Sequence, residues 1–449
     1  MTETKTAAII LCAGKGTRMC SDLPKVLHPL AGRPMLSHLL STLSELNITR
    51  TTVVIGEDMD AVAEIARPHP TVVQSKQLGT GHAVLAARQN LADKGSDFTG
   101  DIIVLFGADP LIEADTIARM IKARNESANP AIVVLGFEAW YPGTYGRLIL
   151  ANDGSLAAIV EANEATQEQL DITLCNSGVM LIDGAHMWRL LEQIKATNTK
   201  GEYYLTDIVA LARDDGLRIS IVTGNEEELT GIDDRADLAC AEGHVQSRLR
   251  LAAMRGGATL SDPESVYLSY DTKIGSDVNI GPNVIFGPGV TIGDNVAILS
   301  FCHIEGATVA DGARIGPFAR LRPETKIAAD AHIGNFVEIK AASIGKGAKV
   351  NHLSYIGDAR LGEKANVGAG TITCNYDGLD KHKTDIGKHA FIGSNVSLVA
   401  PISIGDGAII GAGSVITKDV SAESLALTRS QQKELPKRGS NSKAKKGDK

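Results

Sequence analysis

The chain has 449 residues, of which 43% are hydrophobic and 22% are charged, and its formal net charge at pH 7 is -8. This length exceeds what one ordinary hydrophobic core accommodates, so we expect two or three domains. The chain is mildly acidic and its Lys and Arg residues are dispersed until the last twenty positions, which argues against nucleic acid or a membrane surface as a partner.

The first residues of the chain and the spacing of its cysteines predict the cellular compartment. The opening residues MTETKTAAIILCAG lack a basic segment, and their apolar run is short, so the sequence predicts no secretion signal and no membrane span. The six cysteines, at positions 12, 20, 175, 240, 302 and 374, form no C-x-x-C pair. We therefore expect a cytoplasmic protein with reduced thiols.

Short aliphatic runs alternate with helix-like stretches through the first half of the chain. The runs cover residues 7–11, 52–55, 102–106, 131–135 and 219–222. This alternation predicts a Rossmann-like α/β domain with a mostly parallel sheet over residues 1–235. Ligands bind at the loops that follow such strands.

The loop after the first run reads LCAGKGTRM over residues 11–19 and continues to Pro24 and Lys25. Gly14 and Gly16 let backbone N–H groups turn toward anionic oxygens, and the start of a following helix would add partial positive charge. Arg18 and Lys25 supply full charges, so the loop suits a triphosphate and the charge that moves when it is cleaved. Two glycines alone would favour a turn that caps a helix.

The full pattern G-x-G-T-R-M-x4-P-K resembles the nucleotidyltransferases that join a sugar 1-phosphate to a nucleoside triphosphate. Further family motifs follow in the same order: QLGTGHA after Gln74, YGR over residues 145–147, Glu161, NSG with Asn176, and GEYYLTD over residues 201–207. We interpret the tyrosines of GEYYLTD as packing residues first. The resemblance implies a nucleotide and nucleotide-sugar site made of Leu11, Cys12, Ala13, Gly14, Lys25, Gln74, Gly79, Thr80, Phe106, Gly107, Gly146, Glu161, Asn176 and Asp233, with Lys25 and Arg18 in catalytic roles.

The sequence departs from the family pattern where the metal is bound. The family usually has Gly-Asp-x-Pro after the central strand and a later Asn, whereas this chain has Ala108 at the Asp position, Asp109 next to it, and Asp233 in place of the Asn. Mg²⁺ prefers oxygen ligands, so Asp109 and Asp233 are the predicted metal residues. The alternative for Asp109 is a helix N-cap before Pro110. Asn163, where many relatives carry Lys, predicts a weakened phosphate contact.

The segment between the two halves is rich in Ala, Leu and Arg, and predicts a connecting helix over residues 236–256. The last residues, 430–449, are polar and basic, which predicts a disordered tail. An anionic partner for this tail is the alternative.

Beyond residue 261 the sequence repeats with a period of six. The aliphatic positions are Ile274, Ile280, Phe286, Ile292, Ile298 and Ile304, then Ile315, Leu321, Ile327, Ile333 and Ile339, then Ile386, Ile392, Leu398, Ile404, Ile410 and Ile416. Three short strands per turn of a β-helix explain this period, which neither an α-helix nor a flat strand can keep. The strict register argues against a Gly-rich low-complexity segment. Such hexapeptide repeats resemble the left-handed parallel β-helix of acyltransferases, predicted here for residues 257–429.

The repeat is built of small and aliphatic residues, and it departs from this composition at Arg322, Lys340 and His352. An insertion covers residues 374–383. Acylation of an amine needs a base near neutral pKa to take the amine proton, and histidine fits that need. A lone histidine in a solenoid is more often an ordinary surface residue, and Lys340 is equally compatible with a solvated flank.

The two halves in this order resemble the family of bifunctional N-acetylglucosamine-1-phosphate uridyltransferases and glucosamine-1-phosphate N-acetyltransferases, over roughly residues 5 to 430. The resemblance implies His352 as the catalytic base of acetyl transfer, with Arg322, Lys340, Tyr355 and Asn366 binding glucosamine 1-phosphate. It implies an acetyl-CoA site made of Ala369, Asn375, Tyr376, Ser394, Ala412 and Arg429. At Ala369 and Ala412 the small side chain equally suits the packing of a tightly wound β-helix.

The resemblance also implies the reactions and the assembly. Glucosamine 1-phosphate is acetylated by acetyl-CoA, and the resulting N-acetylglucosamine 1-phosphate then takes a uridylyl group from UTP with Mg²⁺ present. The insertion would reach a neighbouring subunit of a homotrimer. One alternative is a single-activity sugar-1-phosphate nucleotidyltransferase with a structural β-helix, and another is a non-enzymatic trimeric scaffold that binds a nucleotide sugar.

Overall fold

The computed structural model describes residues 6–93, 95–126, 128–152 and 154–435, so the predicted tail lies outside the described residues from position 436 onward. The chain divides into two compact units between Arg248 and Leu249. None of the helices in this described part has the length and apolar character that crossing a bilayer requires. All six cysteines are free thiols.

The first unit is an α/β domain built on one central sheet. Its strands are β1 (Thr6–Leu11), β2 (Pro29–Leu30), β3 (Arg33–Pro34), β4 (Arg50–Ile55), β5 (Thr71–Val73), β6 (Asp101–Phe106), β7 (Ile132–Glu138), β8 (Arg147–Leu150), β9 (Leu156–Val160), β10 (Leu174–Asp183) and β11 (Ile219–Gly224). The main sheet has the order β11-β7-β10-β6-β1-β4-β5, and β2 pairs with β3 in a separate two-stranded sheet. Among the described strands of this sheet, the antiparallel pairs are those of β10 with β6, β7 and β8, and that of β8 with β9. The expected mostly parallel sheet is confirmed.

Helices cover both faces of this sheet. The helices of this unit are α1 (Met35–Glu45), α2 (Asp60–Ala66), α3 (Thr80–Ala86), α4 (Arg88–Leu91), α5 (Ala114–Arg124), α6 (Gln167–Leu170), α7 (Gly184–Leu191), α8 (Asp207–Asp214) and α9 (Glu226–Leu229), and α10 (Arg235–Arg255) follows them. Helix α10 is the predicted connecting helix, and the boundary between the two units falls within it.

The central strands are apolar on both sides because each side faces a core. Ile102 and Val104 of β6 enter one cluster of buried residues, whereas Ile103 and Leu105 enter the other. All four are fully buried. A continuous aliphatic run is therefore what this strand position requires.

Strands β1 and β6 lie side by side and end together. Leu11 is the register partner of Phe106, and the Gly107 N–H donates to the Leu11 carbonyl over 3.0 Å. The two loops that follow these strands therefore start next to each other, at the edge where ligands bind in parallel sheets.

The second unit is a β-helix of three parallel ladders. Its first ladder contains Thr259–Leu260, Asn279–Ile280, Ala297–Ile298, Arg314–Ile315, His332–Asn335, Lys349–His352, Asn366–Val367, Phe391–Ile392, Ile409–Ile410 and Leu425–Ala426. The second contains Lys273–Ile274, Thr291–Ile292, Ala307–Val309, Thr325–Ile327, Ser343–Ile344, Ala359–Leu361, Thr384–Ile386 and Ile402–Ile404. The third contains Ile285–Phe286, His303–Ile304, Arg320–Leu321, Glu338–Lys340, Tyr355–Gly357, Ile372–Cys374, Ser397–Val399 and Val415–Ile416. One aliphatic side chain of each hexapeptide points into a single continuous core, so the fold expected from the period of six, a left-handed β-helix, is confirmed.

Large apolar residues occupy the corner that joins the first ladder to the third. Phe301, Phe318, Phe336 and Leu353 stand there in the left-handed backbone region, with φ between 50° and 63°, and are 45% to 62% exposed. The three phenylalanine rings stack, with centroids 4.8 and 5.1 Å apart. This conformation is costly for bulky residues, and the same corner elsewhere carries Asn283 or Asn395.

Candidate functional site

The phosphate loop closes on itself through Gly16 and Lys25. Gly16 has φ 59°, and a Cβ there would lie 2.7 Å from the Cβ of Lys25, so no larger residue fits. The loop leads into a 3-10 turn over Thr17–Met19 rather than the expected helix. The predicted helix at this point is wrong, and because three residues carry almost no aligned dipole, the positive charge here comes from side chains.

The two cationic side chains of this loop, Arg18 and Lys25, both bind the carboxylate of Asp233. Arg18 Nη2 lies 2.9 Å from Asp233 Oδ2, and Lys25 Nζ lies 3.0 Å from Asp233 Oδ1. The Lys25 side chain is 19% exposed and that of Arg18 is 68% exposed. The sequence-predicted cations and the sequence-predicted metal carboxylate therefore meet, although 208 residues separate Lys25 from Asp233.

A cavity of about 610 Å³ opens above these groups. Its walls include, among the residues predicted from sequence, Leu11, Cys12, Ala13, Gly14, Arg18, Lys25, Gln74, Gly79, Thr80, Phe106, Asp109, Gly146, Glu161, Asn176 and Asp233. Gly107 is the exception, because it does not line this cavity. A Cβ at Gly107 would lie 2.4 Å from Cys12 Sγ, so this glycine is needed for close packing of the two loops, and its contact with the nucleotide stays a prediction.

The Gln74 side chain is held in one orientation. Its amide nitrogen donates to the Gly79 carbonyl over 3.1 Å and lies 3.0 Å from His82 Nδ1. Gln74 is buried. With the amide nitrogen occupied, the amide oxygen is the atom available to an N–H on a base edge.

Of the residues predicted to bind the sugar, some line the cavity and others do not. Glu161 lines the cavity, accepts a hydrogen bond from the Thr206 hydroxyl over 3.3 Å, and has its pKa raised by burial. Arg147 of the YGR motif is buried, and its guanidinium donates to main-chain carbonyls, including that of Leu170. Asn163 lies away from the cavity and donates to Thr199 over 3.5 Å. Arg147 is therefore structural.

Asp109 enters the cavity as a buried carboxylate. Burial raises its pKa to about 7, and Asp233 adds to this effect while Lys25 opposes it. Among the described residues, nothing donates a hydrogen bond to this carboxylate. No group of three or more His, Cys, Asp or Glu side chains in this part of the chain could hold a metal. Two carboxylates fit Mg²⁺ nevertheless, because this ion usually keeps waters and takes further oxygens from substrate phosphates.

The helix N-cap interpretation of Asp109 is wrong. The next helix, α5, begins at Ala114 and has Glu113 at its N-cap position. Pro110 lies in a turn before it. The Asp109 N–H instead donates to the Phe106 carbonyl over 3.1 Å, and this turn directs the carboxylate into the cavity.

Several cavity residues were not named as site residues from the sequence, although four of them lie within the QLGTGHA and GEYYLTD motifs. They are Gln77, Thr144, Lys200, Glu202, Tyr204 and Thr206. Tyr203 packs against the core as expected, whereas its neighbour Tyr204 lines the cavity. The alternation of adjacent residues in GEYYLTD is the signal that could have separated the two tyrosines.

In the second unit, His352 lies on one edge of the first ladder. Its register partner in the preceding coil is Asn335, and the ring Nδ1 lies 2.7 Å from Asn335 Oδ1. His352 is exposed, whereas Asn366 is the register partner of Lys349 in the next coil, at the other end of that strand. Leu353 turns the corner, and Tyr355 opens the third ladder.

Cations collect on the adjoining third ladder. Arg322 Nη1 donates to Glu338 Oε1 over 2.9 Å, and this contact raises the pKa of Arg322. Lys340 lies next to Lys381 of the insertion, whose ammonium lowers the pKa of Lys340. The Tyr355 hydroxyl lies over Gly357, where a Cβ would come within 2.4 Å of it. The two predicted phosphate-binding residues thus lie on neighbouring coils of the third ladder, one and two coils before the strand that Tyr355 opens.

The predicted acetyl-CoA residues continue the row that begins at His352. The register of the first ladder places Ala369, Ser394 and Ala412 at the equivalent position of the next three coils, which are about 4.8 Å apart. Arg429 reaches the end of this row, because its Nη2 lies 3.8 Å from the Cβ position of Gly411. The row therefore forms a strip of small residues that ends at a cation.

The predicted insertion lies between the strands Ile372–Cys374 and Thr384–Ile386. Asn375 at its base is buried and donates to Asp358, whereas Tyr376 and Leu379 are 62% and 89% exposed. The Asp377 carboxylate accepts from the Leu379 and Asp380 N–H groups and organises the tip. Asn375 thus anchors the loop in this structure.

Comparison with known proteins tests the resemblance directly. Residues 8–173 match the family described as the MobA-like NTP transferase domain. Residues 271–306 match the bacterial transferase hexapeptide, and residues 383–418 match the hexapeptide repeat of succinyl-transferase. Both halves of the predicted architecture are therefore found in known transferase families.

Curated relatives match nearly the whole chain. The Bifunctional protein GlmU of Paramagnetospirillum magneticum is 57% identical over 97% of this chain and 96% of its own length. The protein of the same name from Rhodospirillum rubrum is 58% identical over 95% and 94%, and that of Ruegeria sp. is 52% identical over 96% of both. The chain therefore belongs to the bifunctional GlmU family, as its ordered motifs predicted.

Proposed function

We propose that the cavity of the first unit binds UTP with N-acetylglucosamine 1-phosphate, and that the edge of the β-helix at His352 binds glucosamine 1-phosphate with acetyl-CoA. As a member of its family the chain is a bifunctional enzyme of UDP-N-acetylglucosamine synthesis, with uridyltransferase and acetyltransferase activities. The family's nucleotidyl transfer is metal-dependent, and its acetyl transfer uses acetyl-CoA. The two reactions use different residues of this chain.

In uridylyl transfer the sugar phosphate oxygen attacks the α-phosphorus of UTP, and the bond to the β-phosphate breaks to release pyrophosphate. No protein nucleophile is needed, so the residues act by positioning and by charge. Lys25 and Arg18 exchange Asp233 for oxygens of the triphosphate when UTP binds. The amide oxygen of Gln74 accepts from the uracil N–H, and Glu161 and Asn176 hold the amino sugar.

Asp109 and Asp233 are the residues that would hold Mg²⁺. When bound, this ion neutralises charge on the phosphates and orients them. The buried carboxylate of Asp109, which has no donor among the described residues, supports this assignment. We expect Asp109→Ala to lower Mg²⁺-dependent uridylyl transfer at least tenfold, with Asp115→Ala on the exposed face of α5 as the control. Unchanged transfer in the Asp109 variant would contradict the assignment.

In acetyl transfer the amine of glucosamine 1-phosphate attacks the thioester carbonyl, the C–S bond breaks, and coenzyme A leaves as the thiol. Nε2 of His352 takes the amine proton and passes it to the leaving sulfur. Arg322 and Lys340 bind the sugar phosphate, and Tyr355 and Asn366 bind the hexosamine. Acetyl-CoA lies along the row of Ala369, Ser394 and Ala412, with Asn375 and Tyr376 beside it and Arg429 near its phosphates.

We also propose a homotrimer in which the insertion reaches a neighbouring subunit. The exposed side chains of Tyr376 and Leu379 at the insertion support this, as does the apolar corner of Phe301, Phe318 and Phe336, because both leave large apolar groups in water. Light scattering should give three chains per particle, and a monomeric mass would contradict the proposal. A cytoplasmic location stays a prediction.

The observation that carries the proposal is the meeting of the phosphate loop, Gln74 and Asp233 in one cavity. The test measures pyrophosphate release from UTP and N-acetylglucosamine 1-phosphate with and without Mg²⁺, and coenzyme A release from acetyl-CoA and glucosamine 1-phosphate. We expect both products, the first only with Mg²⁺. Pyrophosphate alone would favour a single-activity nucleotidyltransferase, and neither product would favour the nucleotide-sugar-binding scaffold.

A further inference from the structure

The side chain of Asn335 lies beside His352 although 17 residues separate them. The two residues are register partners at the ends of neighbouring strands, His332–Asn335 and Lys349–His352. Asn335 Oδ1 lies 2.7 Å from the ring Nδ1. This distance is that of a well-formed hydrogen bond.

The backbone holds both residues in place. The Leu353 N–H donates to the Asn335 carbonyl over 3.1 Å, and the Gly370 N–H donates to the His352 carbonyl over 3.2 Å. Three successive coils are thus joined at this edge of the first ladder. The position of the amide relative to the ring therefore follows from the register of the β-helix, and not from a flexible loop.

The contact decides which ring nitrogen carries the proton. A carboxamide oxygen only accepts, so Nδ1 is the protonated nitrogen and Nε2 keeps its lone pair. Acetyl transfer needs that lone pair, since a ring protonated at Nε2 could not take the amine proton. We propose that Asn335 is a positioning residue for acetyl transfer, which holds His352 in the tautomer and orientation that a base requires. This inference rests on the proposed role of His352.

An amide performs this role without adding charge. A carboxylate at the same place would also select the Nδ1–H tautomer, but it would stabilise the imidazolium and raise the pKa of the ring. Apart from His352 itself, the ionisable residues of the two strands are His332 and Lys349, which lie at the opposite ends of the strands, three residues away. The strand on the other side, Asn366–Val367, carries no ionisable side chain, and Tyr355 follows His352 three residues later, at the start of the next strand.

The experiment measures both activities of full-length Asn335→Ala, Asn335→Asp, His352→Ala and Asn279→Ala. Asn279 is an exposed strand residue of the first ladder, several coils before Asn335, and serves as the matched control. We expect Asn335→Ala to lower kcat of acetyl transfer about tenfold to a hundredfold with KM values within threefold, because a mis-set base loses part of its general-base contribution. Uridylyl transfer and the thermal unfolding midpoint should stay at wild-type values.

The Asn335→Asp variant separates positioning of His352 from a merely structural role, because a structural role would not change the pH dependence of kcat/KM. We expect it to retain kcat at high pH, with the acidic limb of kcat/KM against pH displaced upward by about one unit. A kcat for Asn335→Ala within twofold of wild type, or a superimposable pH profile for Asn335→Asp, would overturn the inference. Acetyl transfer that survives in His352→Ala would instead overturn the proposed base, which distinguishes the two failures.

Discussion

His38 should make the first unit less stable as the pH falls. The ring lies in α1 and is 8% exposed. Its Nε2 lies 2.7 Å from the Leu30 carbonyl oxygen, and its Nδ1 lies 3.3 Å from Arg33 Nη2. The neutral ring satisfies both neighbours, by donating to the carbonyl and accepting from the guanidinium. Burial lowers the pKa of His38 from 6.5 to about 4, with Arg33 adding to the effect against the Leu30 contact.

The direction in which the free energy of unfolding changes with pH depends on whether the folded or the unfolded chain binds the proton more tightly. Between about pH 4 and 6.5 the unfolded chain protonates this histidine and the folded chain does not, so acid favours unfolding. Relative to pH 7.5, the free energy of unfolding at pH 5 should fall by about 2 kcal/mol through this one group. The contribution is fully present above the unfolded pKa and is lost as the pH falls toward the folded one.

The assay compares wild type with His38→Gln, in which the side chain can still donate to the Leu30 carbonyl but does not titrate. Urea unfolding is followed by tryptophan fluorescence at both pH values. The chain has two tryptophans, Trp140 and Trp188, and both lie in the first unit. The loss of stability between the two pH values should be about 2 kcal/mol larger in wild type. Equal losses in the two proteins, within about 0.5 kcal/mol, would refute the reasoning.

Three further substitutions test packing and substrate contacts. Gly107→Ala should destabilise the first unit by about 1–3 kcal/mol in a urea titration, because its Cβ would lie 2.4 Å from Cys12 Sγ; adding Cys12→Ala should restore part of the loss, and no loss in the single variant would contradict the packing argument. Ile339→Ala removes a fully buried side chain of the β-helix core and should cost about 2–5 kcal/mol in its unfolding; a shift below about 0.5 kcal/mol would be incompatible with this core. Thr206→Val removes the hydroxyl that donates to Glu161 and should raise KM for N-acetylglucosamine 1-phosphate about tenfold while KM for UTP stays within twofold; equal changes in both constants would place Thr206 elsewhere.

The sequence predicted the fold well because its patterns are repeated many times. The period of six recurs through three long blocks of the β-helix, so errors at single positions do not alter the conclusion. The aliphatic runs of the α/β unit are similarly long because both faces of the sheet are covered. At the phosphate loop the prediction of a helix failed, since the chain makes a single 3-10 turn at Thr17–Met19.

Site residues were predictable where they belong to a contiguous motif and less so where the fold creates the contact. The family resemblance implied a ligand contact at Gly107, which stays a prediction, but it did not reveal the close approach of this glycine to Cys12. The N-cap alternative for Asp109 required a helix start that lies instead at Ala114. Asn335 was missed because its partner is one coil away, although the period of the repeat holds that information.

The central claim is that one chain carries two transferase sites that work independently. Parallel assays of His352→Ala and Lys25→Ala, each measured for coenzyme A release and for pyrophosphate release, test it most directly. We expect His352→Ala to lose acetyl transfer and keep uridylyl transfer, and Lys25→Ala to do the reverse. Loss of both activities in either folded variant, or retention of both, would contradict the claim.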